Sequence, residues 1–293
     1  MSTAHESHDG AVDAATGTST TGHEWDGIRE LNNPLPRWWL YTFYGCIVWA
    51  IGYWVLYPAW PLISSSTQGV LGWHSRAAVV EQLADLQKLR AASSAKLAAV
   101  PLADIEKNPE LLNLARAEGR VAFADNCAPC HGAGGGGAKG FPNLNDDDWL
   151  WGGTLDQISA TITHGIRSGD DAGHQGNMLA FGSMLSKAEI SDVADYVRSL
   201  SGAAPGDTPS AKKGATVFAA NCAACHGEDG KGNQELGSKN LTDGIWLYGG
   251  DKATIVQTIT YGRGGVMPAW GTRLSPTTIK ALTVYVHTLG GGQ

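Results

Sequence analysis

Cys127-Ala-Pro-Cys130-His131 and Cys222-Ala-Ala-Cys225-His226 are two C-x-x-C-H motifs whose first cysteines lie 95 residues apart, and they take four of the chain's five cysteines. At this spacing two thiols reach the two vinyl groups of a haem while the adjacent imidazole ligates the iron, the attachment pattern of c-type haem. The motifs therefore predict two covalently attached haem c groups, with Cys127, Cys130, Cys222 and Cys225 forming the thioethers and His131 and His226 binding iron. A pair of redox dithiols or a Cys/His zinc site is the competing chemistry.

An iron held by one imidazole needs a second axial ligand to stay six-coordinate. A thioether is the soft, neutral choice that favours the reduced state. Met178 and Met267 are the candidates, following their histidines by 47 and 41 residues. Met184 competes in the first half of the chain, but it aligns with Arg273 in the second and is assigned to packing. His164, His174 and His287 are read as structural.

The surroundings of the motifs repeat. Phe123-Ala-Asp-Asn-Cys127 parallels Phe218-Ala-Ala-Asn-Cys222, Trp149-Leu-Trp-Gly-Gly153 parallels Trp246-Leu-Tyr-Gly-Gly250, and Ile162-Thr-His-Gly165 parallels Ile259-Thr-Tyr-Gly262. Asn177-Met178-Leu-Ala-Phe-Gly182 then matches Val266-Met267-Pro-Ala-Trp-Gly271. The offset is 97 residues at the tryptophans and 89 at the methionines, so the first copy carries about eight extra residues around Gly169 to His174, read as a surface loop. Two domains this small bury little of their own surface, and a haem would fill the missing core, which couples folding to haem attachment.

Upstream of the repeats, Trp38 to Leu56 is a run of 19 uncharged, mainly apolar residues with aromatics crowded at both ends. About 20 residues in a helix cross the hydrocarbon of a bilayer, and the aromatics suit its two interfaces. Pro58 and Pro61 stop the helix. The polar stretch before it and its aromatic content favour a retained anchor over a cleaved signal. Arg29 and Arg37 near its start favour a cytoplasmic N-terminus. The predicted order is a cytoplasmic segment (1–37), a transmembrane helix (38–62), a linker with an amphipathic helix (63–110) and two cytochrome c-like domains (111–201 and 210–293). The fold class is thus mainly α, one N-terminal transmembrane helix followed by two tandem haem domains.

Residues 1–24, rich in Ser, Thr, Gly, Ala and His, read as a disordered tail. His5, His8 and His23 are too scattered to predict a metal site. Between Arg76 and Val100, apolar residues 79, 80, 83, 86 and 89 form one helical stripe that should pack on a neighbour. Ser201 to Pro209 reads as a hinge, and Cys46 as an inert thiol within the apolar run.

Residues 1–100 hold 6 basic and 8 acidic residues, leaving 15 and 20 of the chain's 21 and 28 for the haem portion. This mild acidic excess argues against a nucleic-acid partner and could steer a basic electron donor. Asp146-Asp147-Asp148 reads as an acidic loop face. Arg167 and Arg263, after the aligned Ile-Thr-x-Gly motif, are candidate partners for haem propionates.

Trp25-Asp-Gly-Ile-Arg-Glu-Leu-Asn-Asn-Pro-Leu-Pro-Arg-Trp-Trp39, the single aromatic-rich span after it and the two motifs in tandem resemble the dihaem subunit, subunit III, of cbb3-type cytochrome c oxidases. The resemblance covers residues 25–293. It implies a membrane-anchored electron-transfer subunit of a high-affinity terminal oxidase in the bacterial inner membrane, single-pass, with its haem domains on the periplasmic side. Electrons would come from a soluble cytochrome c or a quinol-oxidising complex, and pass to a monohaem cytochrome c subunit and the oxygen-reducing haem–copper subunit. Met178 and Met267 are the distal ligands the resemblance implies, each for its own repeat's haem or crosswise for the other's; spacing leaves both open. No catalytic centre of its own is expected, since six-coordinate irons leave no open site. The competing functions are an anchored dihaem cytochrome of another reductase or dehydrogenase, and a dihaem peroxidase.

Overall fold

A computed structural model of the chain describes residues 11–291, and His5 and His8 lie outside them. The chain divides into two units, residues up to 87 and from 88 onward.

In the first unit, β1 (Thr20–Trp25) and β2 (Ile28–Leu31) form an antiparallel hairpin, so the described part of the segment expected to be disordered is folded back on itself. Asp26 and Gly27 sit at φ 50° and 82°, the left-handed pair that a two-residue hairpin turn of matching twist requires. Helix α1 (Arg37–Leu56) follows, with no buried residue, and it is long and apolar enough to cross a membrane. At 1.5 Å per residue its 20 residues span about 30 Å. The Tyr57 amide closes the helix on the Tyr53 carbonyl before Pro58, and the ring pairs Tyr53–Tyr57 and Trp54–Trp60 cluster at this end.

Helix α2 (Ser75–Ala99) leaves its apolar stripe of Val79, Val80, Leu83, Leu86 and Leu89 exposed. Its buried residue is Leu97 instead. The Lys280 ammonium donates to the carbonyls of Leu97, Ala98 and Val100, which cap the helix's C-terminal end. Leu97 and Ile105, in the stretch assigned to the linker, pack with Ala115, Ala281 and Val284 as part of the folded core.

The second unit continues with α3 (Leu102–Ile105), α4 (Pro109–Asn126), α5 (Ala128–His131), α6 (Leu155–His164), α7 (Lys187–Leu200), α8 (Pro209–Asn221), α9 (Ala223–His226), α10 (Lys252–Tyr261) and α11 (Pro276–His287). Their starts are written in the sequence. Asn108 and Thr208 cap helices that begin with proline, and Thr154–Gln157 and Ser186–Glu189 form reciprocal capping boxes. Asp251 and Ser275 occupy the equivalent positions in the second repeat. Each cap satisfies amides that would otherwise lack partners, at about 1 kcal/mol apiece.

The helices pair across the repeat boundary. Helix α4 of the first repeat packs on α11 of the second, and α8 of the second packs on α7 of the first. Both crossings close on a glycine: a Cβ on Gly119 would overlap Ala281 O, and one on Gly214 would overlap Asp192 O. Beside each glycine sits a fully buried phenylalanine against a tyrosine of the partner helix, Phe123–Tyr285 at 5.3 Å and Phe218–Tyr196 at 5.2 Å between centroids. Two cores result. One joins Phe123, Ile158 and Ile162 to Ile279, Leu282 and Val286. The other joins Ile190, Val193 and Val197 to Phe218, Ile255 and Ile259. The first module therefore consists of α4, α5 and α6 with α11, and the second of α7 with α8, α9 and α10.

Candidate metal centres

Each C-x-x-C-H motif starts at the end of a long helix. The Cys127 and Cys222 amides donate to the Phe123 and Phe218 carbonyls, so each first cysteine follows the buried phenylalanine by one turn. The one-turn helices α5 and α9 then carry the second cysteine and the histidine. Gly132 and Gly227, at φ 80° and 77°, turn the chain away after the histidine. Cys127 and Cys222 are half-buried, and burial first, then the neighbouring thiol, pushes each up to about 11. Cys130 and Cys225 are exposed, and none of the four is in a disulfide.

The histidine rings are oriented for a metal. His131 Nδ1 lies 3.0 Å from the Pro142 carbonyl and His226 Nδ1 lies 2.9 Å from the Lys239 carbonyl. A carbonyl only accepts, so the proton sits on Nδ1 and Nε2 keeps a lone pair for iron. Burial pushes the His226 imidazole's pKa down, against the opposing effect of the Lys239 carbonyl, and so favours the neutral, ligating form. Among the described residues no group of three or more His, Cys, Asp or Glu is gathered as a ready-made metal-ion site. Two thiols and one bare imidazole nitrogen per motif suit a covalently held haem.

The methionines come from across the boundary. Met178 and Arg263 exchange backbone hydrogen bonds at 2.9 and 3.1 Å, and Met267 and Ile166 exchange a pair at 3.0 Å each. Past the methionines the same pairing continues, Phe181 and Gly182 donating to Ile259 and Thr260, and Trp270 and Gly271 to Ile162 and Thr163. Gly165 and Gly262 make this approach possible. Both end their helices at φ 71°, and a Cβ on either would overlap the carbonyl oxygen of the facing methionine. Consequently Met178 packs on the core that also holds Cys222 and Ala223, while Met267 packs on the core that holds Cys127 and Ala128.

The other candidates have structural partners. His164 Nδ1 bonds Asp170 at 3.0 Å, His174 Nε2 meets the Thr161 hydroxyl at 3.0 Å while its ring stacks on Trp151, and His287 Nδ1 meets Glu106 at 2.7 Å. The extra loop of the first repeat is thus pinned by His174 from within it and by His164 at the end of α6. Met184, assigned to packing, is instead exposed. Asp148 is no solvated loop face: it is 15% exposed and lies 2.6 Å from Lys239, which also holds Asp243. Burial pushes the Asp148 carboxyl up in spite of Lys239. The Arg263 guanidinium lies over the Tyr248 ring and donates to Thr258, and Arg167 donates to the Gly265 and Gly176 carbonyls, so protein groups engage the two arginines expected at propionates.

Sequence reasoning missed the carbonyls of Pro142 and Lys239. A signal was present: Pro142-Asn-Leu144 and Lys239-Asn-Leu241 align at the same 97-residue offset as the tryptophans. A cleft lined by Pro142, Asp148, Lys239, Trp246 and Tyr248 runs between these two loops.

Comparison with known proteins matches three family models to the chain. Residues 17–64 match the N-terminal domain of cytochrome oxidase-cbb3, FixP, residues 116–201 match cytochrome c, and residues 209–286 match cytochrome c oxidase, cbb3-type, subunit III. The cbb3-type cytochrome c oxidase subunit FixP of Azorhizobium caulinodans is 86% identical over 293 residues, the full length of both chains. The FixP subunit of Bradyrhizobium diazoefficiens is 63% identical over 96% of this chain and 98% of its own. The CcoP subunit of Azospirillum brasilense is 56% identical over the same shares.

Proposed function

Since the chain belongs to the FixP/CcoP family of cbb3-type cytochrome c oxidase subunits, we propose that it receives electrons from a periplasmic cytochrome c or a quinol-oxidising complex and passes them towards the oxygen-reducing haem–copper subunit. Membership makes it a cytochrome c electron-transfer subunit of the oxidase, with two covalently bound haem c groups and one candidate membrane helix. The finer assignments follow from the chain's own residues.

Cys127, Cys130 and His131 would hold one haem, and Cys222, Cys225 and His226 the other. The observation that carries the reading is the pair of Nδ1 contacts to the Pro142 and Lys239 carbonyls, which present a bare Nε2 in each motif. Met267, packed on the core of the first motif, would close the iron of His131, and Met178 that of His226, so the crosswise alternative is favoured. Bound haem would supply a one-electron iron couple, and a thioether and an imidazole as its two protein ligands would favour the reduced state. The chain fixes the imidazole tautomer through the two carbonyls and would supply each sulfur from an extended segment hydrogen-bonded to the facing loop. With both residues bound, each ligand set would be closed, which suits electron transfer rather than substrate binding at the metal.

Domains 111–201 and 210–293 would each contribute one motif and one methionine, exchanging their closing helices. Helix α1 would anchor the chain with residues 1–37 in the cytoplasm and the haem modules in the periplasm, where thioether attachment takes place. The acidic excess of residues 101–293 would steer a basic donor. Purification of the membrane complex through a tag on this chain tests the proposal. Co-purification of a haem–copper subunit and a monohaem cytochrome, with b-type beside c-type haem, is expected; recovery of the chain alone or with a dehydrogenase overturns it.

A further inference from the structure

Arg167 is one of two non-glycine residues among those described with φ in the left-handed region, at +50°. Its amide donates to His174 O at 2.6 Å, in the loop that only the first repeat carries. From this conformation its side chain reaches two carbonyls. Nε donates to Gly265 O at 2.6 Å, and Nη1 donates to Gly176 O. Gly176 stands two residues before Met178, and Gly265 two residues before Met267. One guanidinium therefore grips both methionine loops at equivalent points.

The second repeat has no counterpart. At the 97-residue offset Arg167 aligns with Gly264, and the neighbouring Arg263 spends its guanidinium on Tyr248 and Thr258. A residue in a costly backbone conformation persists only where its surroundings hold it there, and the planar fork of arginine suits two acceptors as a lysine ammonium does not. We propose that Arg167 is a positioning residue that clamps the Met178 and Met267 loops together, so that the axial sulfurs of both haems are set by a single side chain. The proposal rests on the reading of Met178 and Met267 as iron ligands.

Imidazole competition on the full-length, haem-loaded chain in detergent tests it. Added imidazole displaces a thioether from ferric iron, and the loss of the sulfur-to-iron charge-transfer absorption reads the equilibrium at each haem. In Arg167→Ala the apparent imidazole affinity should rise about tenfold at both haems, the ratio that corresponds to about 1.4 kcal/mol. A titration in which either haem keeps its wild-type affinity overturns the clamp. Should Arg167→Ala fail to accumulate with two haems, Arg167→Lys carries the test, since it keeps the charge without the fork. Weakened sulfur ligation at one haem or both is then expected, and wild-type affinity at both overturns the clamp. A wild-type chain with no sulfur-to-iron absorption would instead remove the methionine reading itself, which separates the two failures.

Discussion

Gly262→Ala places a methyl group where backbone already stands. Gly262 ends α10 at φ 71° and ψ 179°, a region essentially confined to glycine, in which another residue costs about 1–3 kcal/mol. The added Cβ would overlap Met178 O and lie 2.9 Å from the Leu179 carbonyl carbon and 3.0 Å from Ala180 N. Backbone atoms cannot swing aside as a flexible side chain does, so relief requires moving the extended segment that carries Met178. That movement breaks the two hydrogen bonds between Met178 and Arg263, worth about 1 kcal/mol each. The total is about 3–5 kcal/mol, a large share of the roughly 5–15 kcal/mol that holds a typical domain together. Chemical denaturation should register the destabilisation, and the sulfur-to-iron absorption should fall at one haem and persist at the other. Gly165→Ala, against Met267, should remove the other half, and the double variant should remove all of it. Gly264→Ala is the control, because its nearest neighbour would be Asn177 Cβ at 3.6 Å, and it should stay within about 0.5 kcal/mol of the parent. Parental stability and full absorption in Gly262→Ala would show that Gly262 does not hold the Met178 segment in place, and two single variants that remove the same half would show that the two glycines do not serve separate methionines.

The exchange of helices makes a second prediction: Phe218→Ala should cost about 3–5 kcal/mol, and a double-mutant cycle should couple Phe218 to Tyr196 by about 0.5–1.5 kcal/mol and leave it uncoupled from Tyr285. Leu97→Ala should cost about 2–5 kcal/mol in denaturant unfolding, because this side chain is fully buried; a surface-like effect would return residues 97–105 to the linker. Acid unfolding should involve Asp195. Burial pushes its carboxyl up, but the Lys252 and Ser210 hydrogen bonds outweigh it and its pKa is lowered on folding. The unfolded chain then binds the proton more readily, so this group's stabilisation is complete above its unfolded value of about 3.8 and is lost as pH falls through the lower folded value. Asp195→Asn should shallow the pH dependence of stability below about pH 4, and an unchanged acid limb would contradict the assignment.

The motifs, the anchor and the tandem repeat were legible because each is a local pattern: a five-residue spacing, an apolar run of membrane length, and aligned blocks at fixed offsets. The exchange of α7 and α11 was not. Tyr196 and Tyr285 are the same residue type, each facing a phenylalanine four residues beyond a crossing glycine, so either helix matches either repeat and local sequence cannot choose between them. What decides is how the chain runs between the elements, a property of topology rather than of residue type. The hairpin at residues 20–31 was missed for another reason. Composition described the tail as disordered, while the Asp26-Gly27 pair, a strong turn signal, lay at its edge. The exposed stripe on α2 shows the converse, where periodicity identified an apolar helix face but not whether this chain covers it. Arg167 was noticed for its place after the repeated motif, yet its acceptors are main-chain carbonyls, and no side-chain pattern announces those.

In the proposed arrangement each repeat's methionine serves the other repeat's iron. A high-resolution structure of the haem-loaded chain, read for which sulfur stands opposite which imidazole, tests it most directly. Met267 Sδ is expected opposite His131 Nε2 and Met178 Sδ opposite His226 Nε2. Met178 opposite His131, or either methionine away from iron, would contradict it.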